Sequence, residues 1–183
     1  YRHAGIAYDI AVFTNLFPEH LQSHGGSFDR YREAKGKLFK ALSTSQKMIG
    51  GRRIEKVIIA NRDSEWSDYF LSFPADKKIA FGVTDKADVV AQNIRETKDG
   101  VTFSVKDTSF ALSILGKFNV SNALPGIIVA RLFGVKDDAI AQGLTNLKNI
   151  PGRMERIVEG QSFTVLVDYA HERQSVTNLL TTV

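Results

Sequence analysis

The chain has 183 residues, 43% of them hydrophobic, a formal charge of +4 and no cysteine. That composition suits a globular core and excludes disulfides, thiolate metal sites and cysteine nucleophiles. No apolar run approaches the ~20 residues of a membrane-crossing helix and nothing resembles a cleavable signal, so a cytoplasmic protein without membrane insertion is expected.

The run Ile10 to Thr14 is short, continuously apolar and β-prone, as in a buried strand of a parallel sheet. A polar loop, Asn15 to Ser27, leads into a helical pattern in which Tyr31, Lys35, Leu38 and Leu42 recur at steps of three and four. Lys35 therefore falls on the apolar stripe, where it must snorkel, find an anion or lose its proton. Met48 to Lys56, with Gly50-Gly51-Arg52-Arg53, fits no regular pattern. Val57 to Ala60 is a second buried strand, Asp63 to about Ser72 a helix, and Ile79 to Gly82 a third strand.

From Asp88 to Leu115 the pattern becomes a β-meander: Val89 to Arg95, a turn at Lys98-Asp99-Gly100, Val101 to Val105, then Phe110 to Leu115. An apolar helix follows Gly116 and runs to Phe133, with Pro125 in its first turns and Gly134 as its stop. Asp137 to about Leu147 is another helix. Met154 to Val158 and Phe163 to Val167 read as strands, and Asp168-Tyr169-Ala170-His171 leads into a final helix. The order predicts an α/β fold, a mostly parallel sheet flanked by helices with a small antiparallel β appendage. The chain opens without methionine and closes inside a helical pattern, which reads as a segment of something longer.

Ligands of open α/β sheets bind beyond the carboxyl ends of the strands. Two loops carry dense polar cargo at such ends. One is Thr14 to Gly25, with His20 and His24; the other is Asp168 to His171. Histidines in a loop can equally be caps, and Asp168 equally a helix N-cap. Asn119 and Asn122 open the helix after Gly116, where amide donors favour phosphate and asparagine can read an adenine edge, with N-capping as the alternative for Asn119. Arg153, after Pro151-Gly152, is a candidate phosphate clamp or an ordinary surface arginine. Basic residues are spread along the chain apart from Arg52 and Arg53, so no nucleic acid is expected as partner.

In chain order, Thr14-Asn15-Leu16…His20-Leu21…His24-Gly25, Ala34-Lys35…Leu38-Phe39, Gly116…Asn119…Asn122-Ala123, Pro151-Gly152-Arg153-Met154-Glu155 and Asp168-Tyr169-Ala170-His171 resemble the Mur ligase family. The branch is that of UDP-N-acetylmuramoyl-tripeptide synthetases, which add the third residue of the peptidoglycan stem peptide. The resemblance implies an ATP-dependent, ADP-forming ligase that joins an amino acid to a UDP-MurNAc-peptide through an acyl phosphate. It implies Lys35 as a carbamylated lysine holding Mg²⁺ and His20 as a ligand of the same ion. Asn122, supported by Asn119, falls where the family contacts adenine. Arg153 falls at a phosphate-contacting arginine, Asp168 at a ribose-contacting acid, and His171 near the nucleotide.

The chain departs from the family pattern at Glu19 and Gln22, which replace two aspartates, and at Glu172-Arg173, where Thr-Pro is usual. It contains no Gly-x-x-x-x-Gly-Lys-Ser/Thr loop. The resemblance thus implies a partial central ATP-binding domain over residues 1–171, short of its phosphate-loop unit and inactive by itself, with 172–183 leading to a further domain. Folylpolyglutamate and cyanophycin ligases share the chemistry, and a non-catalytic nucleotide-binding or assembly module is the alternative from outside the enzyme class.

Overall fold

The computed structural model describes residues 5–19, 21–84, 86–97 and 99–182, without the side chains of residues 174 and 182. The chain divides into two compact units, residues 1–89 and 90–183.

In the first unit, β1 (Ile10–Phe13) is followed by a 3-10 turn (Leu21–His24) and α1 (Phe28–Thr44). A two-residue-per-strand hairpin comes next, β2 (Met48–Ile49) and β3 (Arg52–Arg53), then β4 (Val57–Asn61), α2 (Ser67–Leu71) and β5 (Lys77–Gly82). The strands β1, β4 and β5 run parallel in that order, with Ile10 opposite Val57 and Val57 opposite Lys77. Every residue of β4 is buried, as expected of a strand covered on both faces. The irregular stretch after α1 is the hairpin: Gly50 and Gly51 take φ of 55° and 76°, the left-handed pair that a two-residue turn needs.

The core of this unit is aromatic. Phe13 of β1 stacks on Phe70 of α2 at 3.9 Å between ring centroids, and Phe39 of α1 meets Phe70 at 4.8 Å. Gly36 lets α1 approach: a Cβ there would run into the Tyr69 hydroxyl and lie 3.1 Å from the Phe73 ring. At the amino end of the sheet Lys56 is buried to 1% exposure, its Nζ donating to Tyr8 O at 3.1 Å and to Asp9 Oδ1 at 3.0 Å.

The helix expected from Asp63 begins only at Ser67. Side chains claim the intervening backbone: Asn61 Oδ1 accepts from Asp63 N at 3.0 Å and Ser64 Oγ from Trp66 N at 3.4 Å. Such local bonds compete with helix formation.

The second unit holds the antiparallel meander β6 (Val89–Thr97), β7 (Gly100–Val105) and β8 (Thr108–Leu112). Its register shifts between Gln92 and Arg95, where Asn93 takes a φ of 53°. Then come α3 (Phe118–Leu132), α4 (Asp137–Asn146), β9 (Glu155–Ile157), β10 (Val165–Val167) and α5 (Arg173–Thr182). Pro125 lies inside α3 beyond its first turns, where it cannot donate to the carbonyl four residues back. Arg131 and Asp137 join α3 to α4 through two 2.8 Å bonds, and Thr108 Oγ1 of β8 donates to the same carboxylate at 2.8 Å. These bonds hold the Asp137 carboxyl below the usual carboxylate range, the Arg131 guanidinium contributing most. Together the elements form the α/β class the sequence predicts, with the parallel strands β1, β4 and β5 beside a short antiparallel hairpin in the first unit and antiparallel strands in the second. Among the described residues no helix is long and apolar enough to cross a membrane.

Candidate functional site

In the first unit the carboxyl ends of β1, β4 and β5 are tied together by side chains. Asn61 closes β4 at 4% exposure. Its Nδ2 donates to Asn15 Oδ1 in the loop after β1 at 3.2 Å, while its Oδ1 holds the Asp63 amide. The Asp63 carboxylate accepts from Val83 N at 2.8 Å, from Thr84 N at 3.2 Å and from Thr84 Oγ1 at 2.7 Å. A Cβ on Gly82 would sit 2.7 Å from Asp63 Oδ1, so glycine at the end of β5 admits that carboxylate. Asn61 and Asp63 escaped the sequence reading. The available signal was an asparagine closing a strand that is otherwise Val-Ile-Ile-Ala, with an aspartate two residues on.

Ser27 caps α1 by accepting from Arg30 N at 3.3 Å, which sets Phe28, Tyr31 and Lys35 on successive turns. Tyr31 is buried, and its hydroxyl is pushed up by burial and by the Glu19 charge. The His24 ring lies 5.0 Å from the Tyr31 ring, and Lys35 Nζ sits 5.3 Å from that ring's centroid. Lys35 is exposed, which corrects the expectation of an interior amine. The buried residues of α1 are Tyr31, Gly36, Phe39 and Leu42, so of the expected stripe only Tyr31 and Leu42 are covered and the buried face is turned toward Gly36 and Phe39. Packing covers that face where Gly36 meets Tyr69 and Phe39 meets Phe70, and the lysine stem reaches past the cover toward Tyr31. A desolvated amine is therefore no part of the geometry. His20 lies outside the described residues. Among the described residues no group of three or more His, Cys, Asp or Glu is placed to hold a metal, so they do not by themselves make a Mg²⁺ site.

In the second unit Gly116, with φ of 95°, donates its amide to Glu96 Oε1 at 2.9 Å and turns the chain into α3. Lys117 occupies the cap position without a side-chain bond, so Asn119 is not the N-cap. Asn119 Nδ2 instead donates back to Leu115 O at 2.7 Å, and its Oδ1 accepts from Asn122 Nδ2 at 3.1 Å. The outer amide, Asn122, is exposed and the inner one braces it.

Asp168 follows β10 directly. Its Oδ2 accepts from Met154 N and its Oδ1 from Ala170 N, both at 2.7 Å. It is therefore no N-cap: α5 starts at Arg173. Met154 is buried with a φ of 49°, a left-handed conformation that costs a non-glycine residue roughly 1 kcal/mol or more. This conformation starts β9 at Glu155, one residue later than the pattern suggested. Tyr169 N donates to Gly152 O at 2.8 Å. Two bonds, Met154 N to Asp168 and Tyr169 N to Gly152 O, thus fix the Arg153 loop against the loop after β10. The Tyr169 side chain is 69% exposed, with the Arg153 guanidinium 6.0 Å from its ring centroid and the His171 ring at 5.1 Å. His171 Nδ1 lies 2.8 Å from Tyr169 O. Arg153 has no ion-pair partner among the described residues. Arg153, His171 and Asp168 are brought together here, and the asparagine pair lies at the start of α3 in the same unit. An exposed guanidinium, an exposed amide and a carboxylate with spare lone pairs suit the phosphates, base and sugar of a nucleotide.

Residues 1–130 match the Mur ligase middle domain. Over 183 residues the chain is 39% identical to a UDP-N-acetylmuramoyl-L-alanyl-D-glutamate–2,6-diaminopimelate ligase of Geobacillus thermodenitrificans, covering 98% of this chain and 36% of that protein. It is 39% identical to a UDP-N-acetylmuramyl-tripeptide synthetase of Roseiflexus sp., covering 93% of this chain and 34% of that one. A solved UDP-N-acetylmuramoyl-L-alanyl-D-glutamate–2,6-diaminopimelate ligase superposes with a TM-score of 0.75 at 28% identity, over 99% of this chain and 36% of that one. The chain thus spans little more than a third of the length of the relatives it matches.

Proposed function

The chain belongs to the Mur ligase middle-domain family, and on that premise we propose that it forms the central ATP-binding part of an ADP-forming ligase. The reaction joins an amino acid to a UDP-MurNAc-dipeptide in the cytoplasm: a substrate carboxylate takes the γ-phosphoryl group of ATP, and the amine displaces phosphate from the resulting acyl phosphate to form the amide. Residues 1–171 are the proposed extent of the central part and 172–183 the passage to the next domain. The segment alone is proposed to be inactive.

The observation that carries this reading is the convergence of Arg153 and His171 on exposed Tyr169 beside Asp168, with the Arg153 loop fastened by that carboxylate. In this arrangement Arg153 binds phosphate oxygens, Asp168 accepts from the ribose, and Asn122, braced by Asn119, reads adenine. Bound Mg²⁺ supplies charge neutralisation at the phosphates. Lys35 is proposed to carry a carbamate whose oxygens, with His20, would hold that ion. Most of the rate gain in such chemistry comes from positioning and fixed charge. The test is ADP release by the full-length protein with ATP, Mg²⁺, UDP-MurNAc-dipeptide and either diaminopimelate or lysine. Release dependent on one amino acid is expected, and silence with every amino acid refutes the assignment.

A further inference from the structure

The carboxyl ends of β1 and β4 frame a cavity of about 530 Å³ within the first unit. Its walls include Phe17, Phe28 and Trp66, and its polar groups include Asn15, Asp63 and Glu65; among the described residues no lysine, arginine or histidine lines it. The size and the pairing of apolar walls with a few polar groups are those of a small-molecule site. Three features define what it would take. Asn15 commits its Oδ1 to Asn61, leaving Nδ2 without an acceptor among the described residues. Glu65 is exposed and has neither hydrogen-bond nor ion-pair partner among them. Asp63 fastens Val83 and Thr84 through its carboxylate oxygens. Two carboxylates with no basic counterpart among the described residues repel phosphate and carboxylate groups. A free amide donor beside a free acceptor, set among aromatic rings, matches a neutral amide with its carbonyl, N–H and apolar substituents.

We infer that this cavity receives the neutral, amide-bearing part of the acceptor substrate, the N-acylated sugar and its first peptide linkage, and not the nucleotide. The inference rests on the ligase reading and adds a location to it. The cavity wall Phe28 lies 6.3 Å from the Tyr31 ring, on which Lys35 Nζ is seated at 5.3 Å. An acceptor held there lies one ring away from the candidate metal-holding lysine. Trp66 is kept in place from outside the cavity lining by Arg32, whose guanidinium carbon is 4.9 Å from its ring centroid.

The decisive variant is Asn15→Asp in the full-length protein. The new carboxylate still accepts from Asn61, so the tie between β1 and β4 is kept, while the donor into the cavity is lost and a third negative charge is added. The KM for UDP-MurNAc-dipeptide is expected to rise about tenfold, as loss of one hydrogen bond to a ligand commonly does, with the KM for ATP changed less than about twofold. Substrate should also alter tryptophan emission in the wild type and not in Trp66→Phe. An Asn15→Asp enzyme with an unchanged KM for the acceptor overturns the assignment of the cavity and leaves the ligase reading intact. No ADP release from the wild type with any amino acid removes both.

Discussion

Asp9 carries a stability prediction that can be worked from the structure. Its carboxylate takes Lys47 Nζ at 2.6 Å and Lys56 Nζ at 3.0 Å, and Lys56 is only 1% exposed. The Lys47 bond, then Lys56, holds the carboxyl below the usual carboxylate range against the opposing effect of burial. Asp9→Asn preserves shape and removes the charge, leaving a buried ammonium with the Tyr8 carbonyl and a neutral amide. Removing one partner of a buried pair costs ~3–5 kcal/mol. Asp9 is itself 32% exposed, so solvent relieves part of this and ~2–3 kcal/mol remains. The Lys47 pair, open to solvent on both sides, adds less than ~1 kcal/mol. A urea titration followed by Trp66, the one tryptophan of this sequence, reads the same unit. At a slope of ~1–3 kcal/mol per molar the midpoint should fall by about 0.7–3 M. Adding Lys56→Met to Asp9→Asn should recover most of the loss, because no buried charge then lacks its partner. A single variant within ~0.5 kcal/mol of wild type, or a double variant no better than the single, refutes the reasoning.

Gly36→Ala forces a methyl group into Tyr69 and Phe73, and overpacking of this kind costs ~1–3 kcal/mol, only partly offset by alanine's helix preference of ~1 kcal/mol; thermal unfolding should show a net loss. Asp9, Asp137 and Asp76, which accepts from the Arg53 guanidinium at 2.8 Å and from Lys56 N at 2.7 Å, all have depressed carboxyl pKa values, so each contributes stability that is complete above its unfolded pKa and lost as pH falls through its folded one. Urea midpoints should therefore decline in acid, and Asp137→Asn should flatten part of that decline while lowering the plateau near neutrality. Lys35→Ala should abolish turnover of the full-length enzyme, with acetate or bicarbonate restoring part of it, whereas wild-type rates refute the role of Lys35. His20→Ala should raise the Mg²⁺ requirement, which a magnesium titration of the rate reads directly.

Much of the fold was legible because its signals are local. Fully apolar runs gave β1, β4 and β5, and the Asp-Gly turn with its flanking alternation gave the meander. Side chains that bond to their own neighbourhood were less readable. Asn61 and Ser64 shortened α2 from its front, and Met154 took a left-handed conformation that Asp168, fourteen residues away, helps to hold. Lys35 shows the same boundary for the site. Periodicity fixed its direction around α1, whereas its exposure depends on how far Tyr69, Phe70 and Phe73 extend along that face, and these residues come from a different stretch of chain. The grouping of Arg153 with Asp168 and His171 was suggested by family resemblance; the bonds that draw the two loops together run through backbone amides, which leave no residue pattern to read.

Because one carboxylate fastens the amides of both Met154 and Ala170, the two stretches of chain it joins cannot loosen independently. Whatever steadies the segment around residue 153 also quiets the one around 170, and a lesion at position 168 would be felt in both. In the second unit one side chain therefore serves as a rivet through both, beside the backbone bond from Tyr169 to Gly152.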